Sequence, residues 1–331
     1  MEEKQYQAIY NRNTNFLDTA VKLFTLLSAS FCALLASAQV HAQPTLSPNE
    51  LQALLVQPDV RVVDIRPPTD FVKDHIAGSL SAPYAVWRGP AHSPGTLPAL
   101  DALTQTIREL GINENTHNII VYAGADTSDF GSAARVYWTM KYLGLNNLSV
   151  LNGGIKSWQS AGLPLTQDST TVKPSNYTPV LNDSVIASQA DVLSQINNPQ
   201  AHLVDARPAN FFQGKVKAPT AAIPGTIQGS INIEHSQWFK PNSIEIVSKE
   251  DAKELAAQNF PQFADDTITF CNTGHWAATD WFALSELAGL PNIRMYPESM
   301  ADWTNTAQAL PMNNEPSRAQ QIASKFKALF N

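Results

Sequence analysis

Cys271 is the side chain of this sequence best equipped for chemistry. It follows the run Thr267-Ile268-Thr269-Phe270 and precedes Asn272-Thr273-Gly274-His275-Trp276-Ala277. The run reads as a short β-branched strand, the next residues as a tight loop, and Ala277 to Leu287 as an amphipathic helix. A cysteine between a strand end and a helix start lies in a bowl of backbone N–H groups, at the positive end of that helix. Such a setting favours a thiolate, the nucleophilic form of the side chain. Gly274 lets the loop backbone curl inward without a side-chain clash. A sulfur held this way can carry out covalent group transfer. The plainer reading of a lone cysteine after a strand is an inert core residue.

The neighbours of Cys271 divide between chemistry and support. His275 reads as a group that assists proton transfer or contacts substrate, or equally as a loop histidine facing solvent or a domain interface. Trp276 reads first as a packing wall and second as a binding platform. Asp205 and Arg207, in His202-Leu203-Val204-Asp205-Ala206-Arg207-Pro208, read as scaffold. An aspartate at a strand end can tie loop N–H groups, and an arginine can pair with it. The seven histidines are scattered and no Cys-x-x-Cys occurs, so neither a metal nor an organic cofactor is expected.

The rest of the chain must position that sulfur. Of 331 residues 44% are hydrophobic and 15% charged, enough for about two domains with cores of their own. Lys and Arg number 22 against 29 Asp and Glu, with no long basic run, so nucleic acid is not an expected partner. The second cysteine, Cys32, lies in the apolar run Leu23 to Ala38, which follows Lys22 and leads to Val40-His41-Ala42. The run is short for a membrane span and fits a leader over 1–42 cleaved before Gln43. The expectation is a periplasmic or secreted chain with no stable membrane association once the leader is removed. An uncleaved membrane anchor is the alternative. A mature chain with Cys271 alone has no internal disulfide.

Matches recurring in the same order indicate a duplicated unit. Val60 to Pro67 is matched by His202 to Pro208, and His75-Ile76-Ala77-Gly78-Ser79-Leu80 by Thr226-Ile227-Gln228-Gly229-Ser230-Ile231. Ile119 to Tyr122 is matched by Thr267 to Phe270, and Trp158 by Trp303. The second copy carries about ten extra residues around Gln213 to Ile223. Helices are expected over Pro48 to Leu55, Leu97 to Leu110 and Ser132 to Leu143, and again over Ser188 to Ile196, Lys249 to Gln258 and Ala277 to Leu287. Short apolar strands between helices predict an α/β fold, each copy a mainly parallel sheet with helices on both faces. The stretch Leu163 to Ser184, rich in Pro, Ser, Thr and Asn, separates the copies. The expected division is 43–165, a linker over 166–184, and 185–331. In open parallel sheets ligands sit at the carboxyl ends of the strands, where Cys271 stands.

Val62-Val63-Asp64-Ile65-Arg66, His75-Ile76-Ala77-Gly78-Ser79 and Leu151-Asn152-Gly153-Gly154-Ile155-Lys156-Ser157-Trp158-Gln159-Ser160-Ala161-Gly162-Leu163-Pro164 together resemble a rhodanese domain. The last motif is highly specific, and the second copy keeps the strand, the cysteine loop with Cys-x-x-Gly, and the helix. The resemblance covers roughly Leu46 to Leu310 and implies a tandem-rhodanese sulfurtransferase, similar to thiosulfate and mercaptopyruvate sulfurtransferases. In that family the second domain carries the catalytic cysteine and the first is inactive. Aligning Tyr122 with Phe270 places Ala123 opposite Cys271, in an acidic loop without a nucleophile. The implied reaction has two steps. Cys271 takes a sulfane sulfur from thiosulfate, mercaptopyruvate or polysulfide as a persulfide, and a thiol or cyanide then removes it. The implied partners are a small sulfur-containing substrate and a thiol acceptor, either a small molecule or a protein.

This chain departs from the family pattern in places. Asn272 and Thr273 are neutral where thiosulfate-using relatives carry cations, and Phe211 stands about where a substrate-binding arginine is expected. A dianionic thiosulfate therefore has fewer evident partners. His275 and Trp276 replace small residues. Two other functions fit the scaffold. One is a non-catalytic persulfide-binding or partner-docking module. The other is a phosphatase, as in the cell-cycle phosphatases related to rhodanese, which requires an arginine where this chain has Ala277.

Overall fold

The computed structural model describes residues 42–260 and 266–317. Residues 1–41 of the expected leader, Cys32 among them, lie outside the described residues, so the leader and localisation expectations are not addressed by it.

Eleven strands run along the described chain: β1 Thr45–Leu46, β2 Val60–Asp64, β3 Leu80–Ser81, β4 His117–Val121, β5 Leu148–Leu151, β6 Ala201–Asp205, β7 Thr226–Ile227, β8 Ile231–Asn232, β9 Asp266–Phe270, β10 Ile293–Met295 and β11 Met312–Asn313. They form two parallel sheets, ordered β1-β5-β4-β2-β3 and β10-β9-β6-β8, and a small antiparallel pair of β7 with β11. In β4 and β9 only the first residue is partly exposed, so both strands are buried on both faces, with Asn118, Thr267 and Thr269 buried beside their apolar residues. Val62, Ile119, Val121 and Leu151 bury one face of the first sheet with Leu51 and Trp158. Leu203, Ile268 and Phe270 bury one face of the second with Met300 and Trp303. The remaining faces meet in a single cluster that holds Val63, Ile120 and Val150 together with Val204, Cys271 and Met295.

Helix starts follow local chemistry. Ser47 and Ser188 cap the helices Pro48–Leu54 and Gln189–Gln195 through reciprocal capping boxes with Glu50 and Asp191, and Ser248 caps Lys249–Asn259. The helix expected from Ser132 begins at Phe130 and runs to Tyr142. The one expected over Ala277 to Leu287 is α-helical only over Trp276–Trp281 and continues as a π-helical turn, Phe282–Leu287. These two helices carry the aromatic seam between the copies. Tyr137 meets Phe282 edge-on with centroids 5.0 Å apart, and Phe130 meets Phe282 at 5.3 Å. The segment between the copies is strapped down: Tyr177 Oη donates to the Leu143 carbonyl at 2.8 Å, and His75 and Thr166 exchange backbone hydrogen bonds.

Strand register corrects the expected alignment by one residue. Asp64 lies opposite Val121 in β4, and Asp205 lies opposite Phe270 in β9. The equivalent of Cys271 is therefore Tyr122, not Ala123. The next contacts agree: Ile155 N–H donates to the Tyr122 carbonyl at 2.8 Å, as Met300 N–H does to the Cys271 carbonyl at 3.1 Å. A run buried on both faces has no alternation to fix its register. Tyr122 places a buried phenol where the second copy has its thiol, and a phenol cannot carry a persulfide.

Candidate active site

Cys271 follows β9 directly, an inner strand of the second sheet, at its carboxyl end. It is 1% exposed and lines a cavity of about 500 Å³. Its own N–H donates to Ser299 Oγ at 3.0 Å, and Ser299 is a fully buried residue held at φ 56°. A serine in the left-handed region is uncommon; here it lets the hydroxyl also donate to the Tyr296 carbonyl. Among the described residues, no protein acceptor takes the backbone N–H groups of Asn272, Thr273, Gly274, His275 or Trp276. Five successive amides are thus left for a ligand or solvent.

The loop is held open from the first copy. Gly274 has φ 70°, and a Cβ there would lie 2.3 Å from Arg135 Nη1 and 2.5 Å from the Pro297 carbonyl oxygen. Arg135 is fully buried and donates to the carbonyls of Gly95 at 2.8 Å and Gly274 at 3.3 Å. Arg88 donates to the carbonyls of Pro94 at 2.6 Å and Thr273 at 2.9 Å, and to Tyr84 Oη at 2.6 Å. Neither arginine forms an ion pair among the described residues. Burial, and then the repulsion of Arg88, lower the Arg135 pKa to about 10, which leaves it a cation at neutral pH.

Sequence reasoning found neutral Asn272 and Thr273 and no cation beside the sulfur. The structure brings both guanidiniums in from the duplicated copy. No motif around Cys271 could have revealed them, because they depend on how the copies dock.

His275 is committed at both nitrogens. Nε2 faces the Ser128 carbonyl at 2.9 Å, which can only accept, so Nε2 carries the proton. Nδ1 is then an acceptor, 2.9 Å from Tyr84 Oη. Burial and the nearby Arg88 pull its pKa down to about 4, so the ring is neutral at physiological pH. A hydrogen-bonded chain from Arg88 through Tyr84 to His275 and Ser128 results, and it ties the cysteine loop to the first copy. Trp276 is fixed in the same way: its Nε1 donates to Ser128 Oγ at 2.7 Å, and its ring stacks on His235 at 4.9 Å and 7°.

Three groups of residues line the cavity. Tyr84, Arg88 and Pro94 come from the first copy. Cys271, Asn272, Thr273, His275 and Trp276 come from the cysteine loop. Ala218 and Thr220 come from the residues extra to the second copy, which form one lip. Ala277 is fully buried, and its carbonyl accepts from Thr269 Oγ1 at 3.0 Å.

Asp205 and Arg207 stand beneath the site. Arg207 Nε and Nη2 grip the Asp205 carboxylate at 2.9 and 2.6 Å, Thr226 donates to it at 2.7 Å, and Arg207 Nη1 reaches Asn272 Oδ1 at 3.5 Å. Asp64 and Arg66 repeat the pair in the first copy. Phe211 packs edge-on against Trp276 and under the Arg207 guanidinium.

The equivalent loop in the first copy is closed by its own anion. The Asp129 carboxylate accepts from the N–H groups of Gly124 at 2.8 Å and Ala125 at 3.1 Å. One copy has filled its amide cradle with a fixed carboxylate; the other leaves its amides free beside a sulfur.

The family model described as "Rhodanese-like domain" matches residues 47–161 and 188–306. The chain is 29% identical over 213 residues to the 3-mercaptopyruvate sulfurtransferase of Rattus norvegicus, covering 64% of this chain and 70% of that protein. It is 25% identical over 258 residues to the 3-mercaptopyruvate sulfurtransferase of Escherichia coli K12, covering 74% and 89%. Its fold superimposes on the crystal structure of a 3-mercaptopyruvate sulfotransferase from Escherichia coli with a TM-score of 0.67 at 22% identity, covering 78% of this chain and 99% of that one.

Proposed function

The chain belongs to the rhodanese-like family as a tandem-domain, rhodanese-type sulfurtransferase, and from that premise we propose that it moves a sulfane sulfur through a persulfide on Cys271. The observation that carries this reading is the pairing of Cys271 with a loop of five unclaimed amides on one cavity. The Cys271 thiolate attacks the transferable sulfur of a donor, and the bond joining that sulfur to the rest of the donor breaks: sulfur–sulfur in thiosulfate or a polysulfide, carbon–sulfur in mercaptopyruvate. The bonding electrons leave with the donor residue, as sulfite, a shortened polysulfide or the enolate of pyruvate. An acceptor thiol or cyanide then takes the outer sulfur and returns Cys271 to the thiolate. The free amides, with Arg88 and Arg135, are the groups available to hold negative charge on either sulfur. Thiosulfate, mercaptopyruvate and polysulfide are the donor classes within this reading.

Intact mass spectrometry tests it directly. Incubation with a donor is expected to add about 32 Da, one sulfur, to the wild-type chain and nothing to Cys271→Ser. The serine variant is expected to keep its circular dichroism spectrum and lose sulfur transfer. One bound sulfur with no second cycle in excess donor and thiol would indicate a persulfide-binding module instead. The same spectrum of exported protein reads the leader, whose loss over 1–42 is the outcome for a periplasmic or secreted chain.

A further inference from the structure

We propose that the cavity selects an organic sulfur donor with one anionic head and an apolar body, the head held by Arg88 and the body lying against Trp276 and Pro94. This rests on the reading of Cys271 as the sulfur carrier. Charge comes first. Among the described residues Arg88 is the only cationic side chain lining the cavity, since Arg135 is not part of its lining and His275 is neutral. Arg88 uses three of its N–H groups on Pro94, Thr273 and Tyr84, so two of a guanidinium's roughly five remain for a ligand. One cation with two free donors matches one carboxylate or sulfonyl group.

Shape comes second. The walls are mainly carbon, and about 500 Å³ suits a small organic molecule far better than a compact inorganic dianion. The Trp276 ring is immobilised by His235, Phe211 and Ser128, so it offers a preset flat surface with its one donor already used. Thr220, also at this cavity, has a buried hydroxyl without a hydrogen-bond partner among the described residues.

A thiosulfonate, R–SO₂–S⁻, is the simplest donor of this class. The Cys271 thiolate attacks its outer sulfur, a Cys271–S–S⁻ bond forms, and the sulfonyl–sulfur bond breaks. The sulfonyl sulfur keeps the bonding pair and leaves as the sulfinate R–SO₂⁻, reduced by two electrons, while the cysteine sulfur rises to the persulfide level. A thiol acceptor R′–SH then leaves as R′–S–SH and restores the thiolate, so atoms and charge balance.

The experiment compares thiosulfate, methanethiosulfonate and benzenethiosulfonate as donors to one thiol acceptor, using the whole protein. The kcat/KM for benzenethiosulfonate is expected to exceed that for either other donor by at least about tenfold. Arg88→Met is expected to raise KM for both thiosulfonates about 10- to 100-fold, as loss of a charged hydrogen bond does, with Arg88→Lys falling between. Trp276→Leu is expected to abolish the preference for the aromatic donor. Thiosulfate equal to or better than benzenethiosulfonate in the wild-type protein would overturn the proposal while leaving Cys271 as carrier. Absence of a sulfur adduct on Cys271 with all three would overturn both readings.

Discussion

At the scale of single residues, two positions set sharp expectations. Gly274 occupies a left-handed backbone conformation with no room for a methyl group beside the fixed Pro297 carbonyl. Gly274→Ala must displace the loop that carries the free amides, and sulfur transfer is expected to fall about 100-fold, the scale of a 1 Å misplacement. Steady-state kinetics beside a melting curve separates this from simple unfolding. Asp280, fully buried, is the second position. Trp238 Nε1 donates to its Oδ1 at 3.0 Å, while Oδ2 has no partner among the described residues. Burial, assisted by Asp205 and Glu234, holds its pKa well above the usual carboxylate range. The folded state therefore binds this proton more tightly than the unfolded state, and the associated stability is lost as pH rises above the unfolded value. Asp280→Asn keeps the indole bond without the proton, so its melting temperature relative to wild type is expected to rise between pH 5 and pH 8. Cys271, Gly274 and the Asp205–Arg207 pair were legible because each is a residue type with a narrow physical use. Arg88, Tyr84 and Ser299 were not, because their roles arise only where distant segments meet.

At the scale of elements, the two cysteine-type loops diverge through one carboxylate. Asp129 caps the Gly124 and Ala125 amides, which its counterpart loop leaves unclaimed. Asp129→Ala is expected to cost about 1–3 kcal/mol by removing two hydrogen bonds to a charged group, measured by urea unfolding. An unchanged midpoint would show that the carboxylate is dispensable. Element types and order could be read from the chain because Ile119 to Tyr122 and Thr267 to Phe270 are β-branched or aromatic and three helices carry serine caps. The one-residue slip that put Ala123 opposite Cys271 arose where composition is uninformative: matching aromatic to aromatic looked natural, yet Tyr122 and Phe270 are not register mates. The switch to π geometry at Phe282 left no mark in the sequence either, since the apolar spacing continues through it.

At the scale of the whole molecule, the two rhodanese-like domains do not own separate interiors. One apolar cluster runs from Val63 through Phe130 and Tyr137 to Phe282 and Met295, and Asn152 exchanges two hydrogen bonds with Ile246 across it. The described chain is expected to unfold in one calorimetric transition with matching van't Hoff and calorimetric enthalpies. Two resolved transitions would show that the copies are independent. The duplication was plain in the sequence, whereas the merging of cores was not, because an apolar residue does not say which copy will cover it. Either copy alone would leave that shared face uncovered. The thiol and the two guanidiniums that reach its loop therefore come from opposite sides of one interior: Cys271 from the second copy, Arg88 and Arg135 from the first.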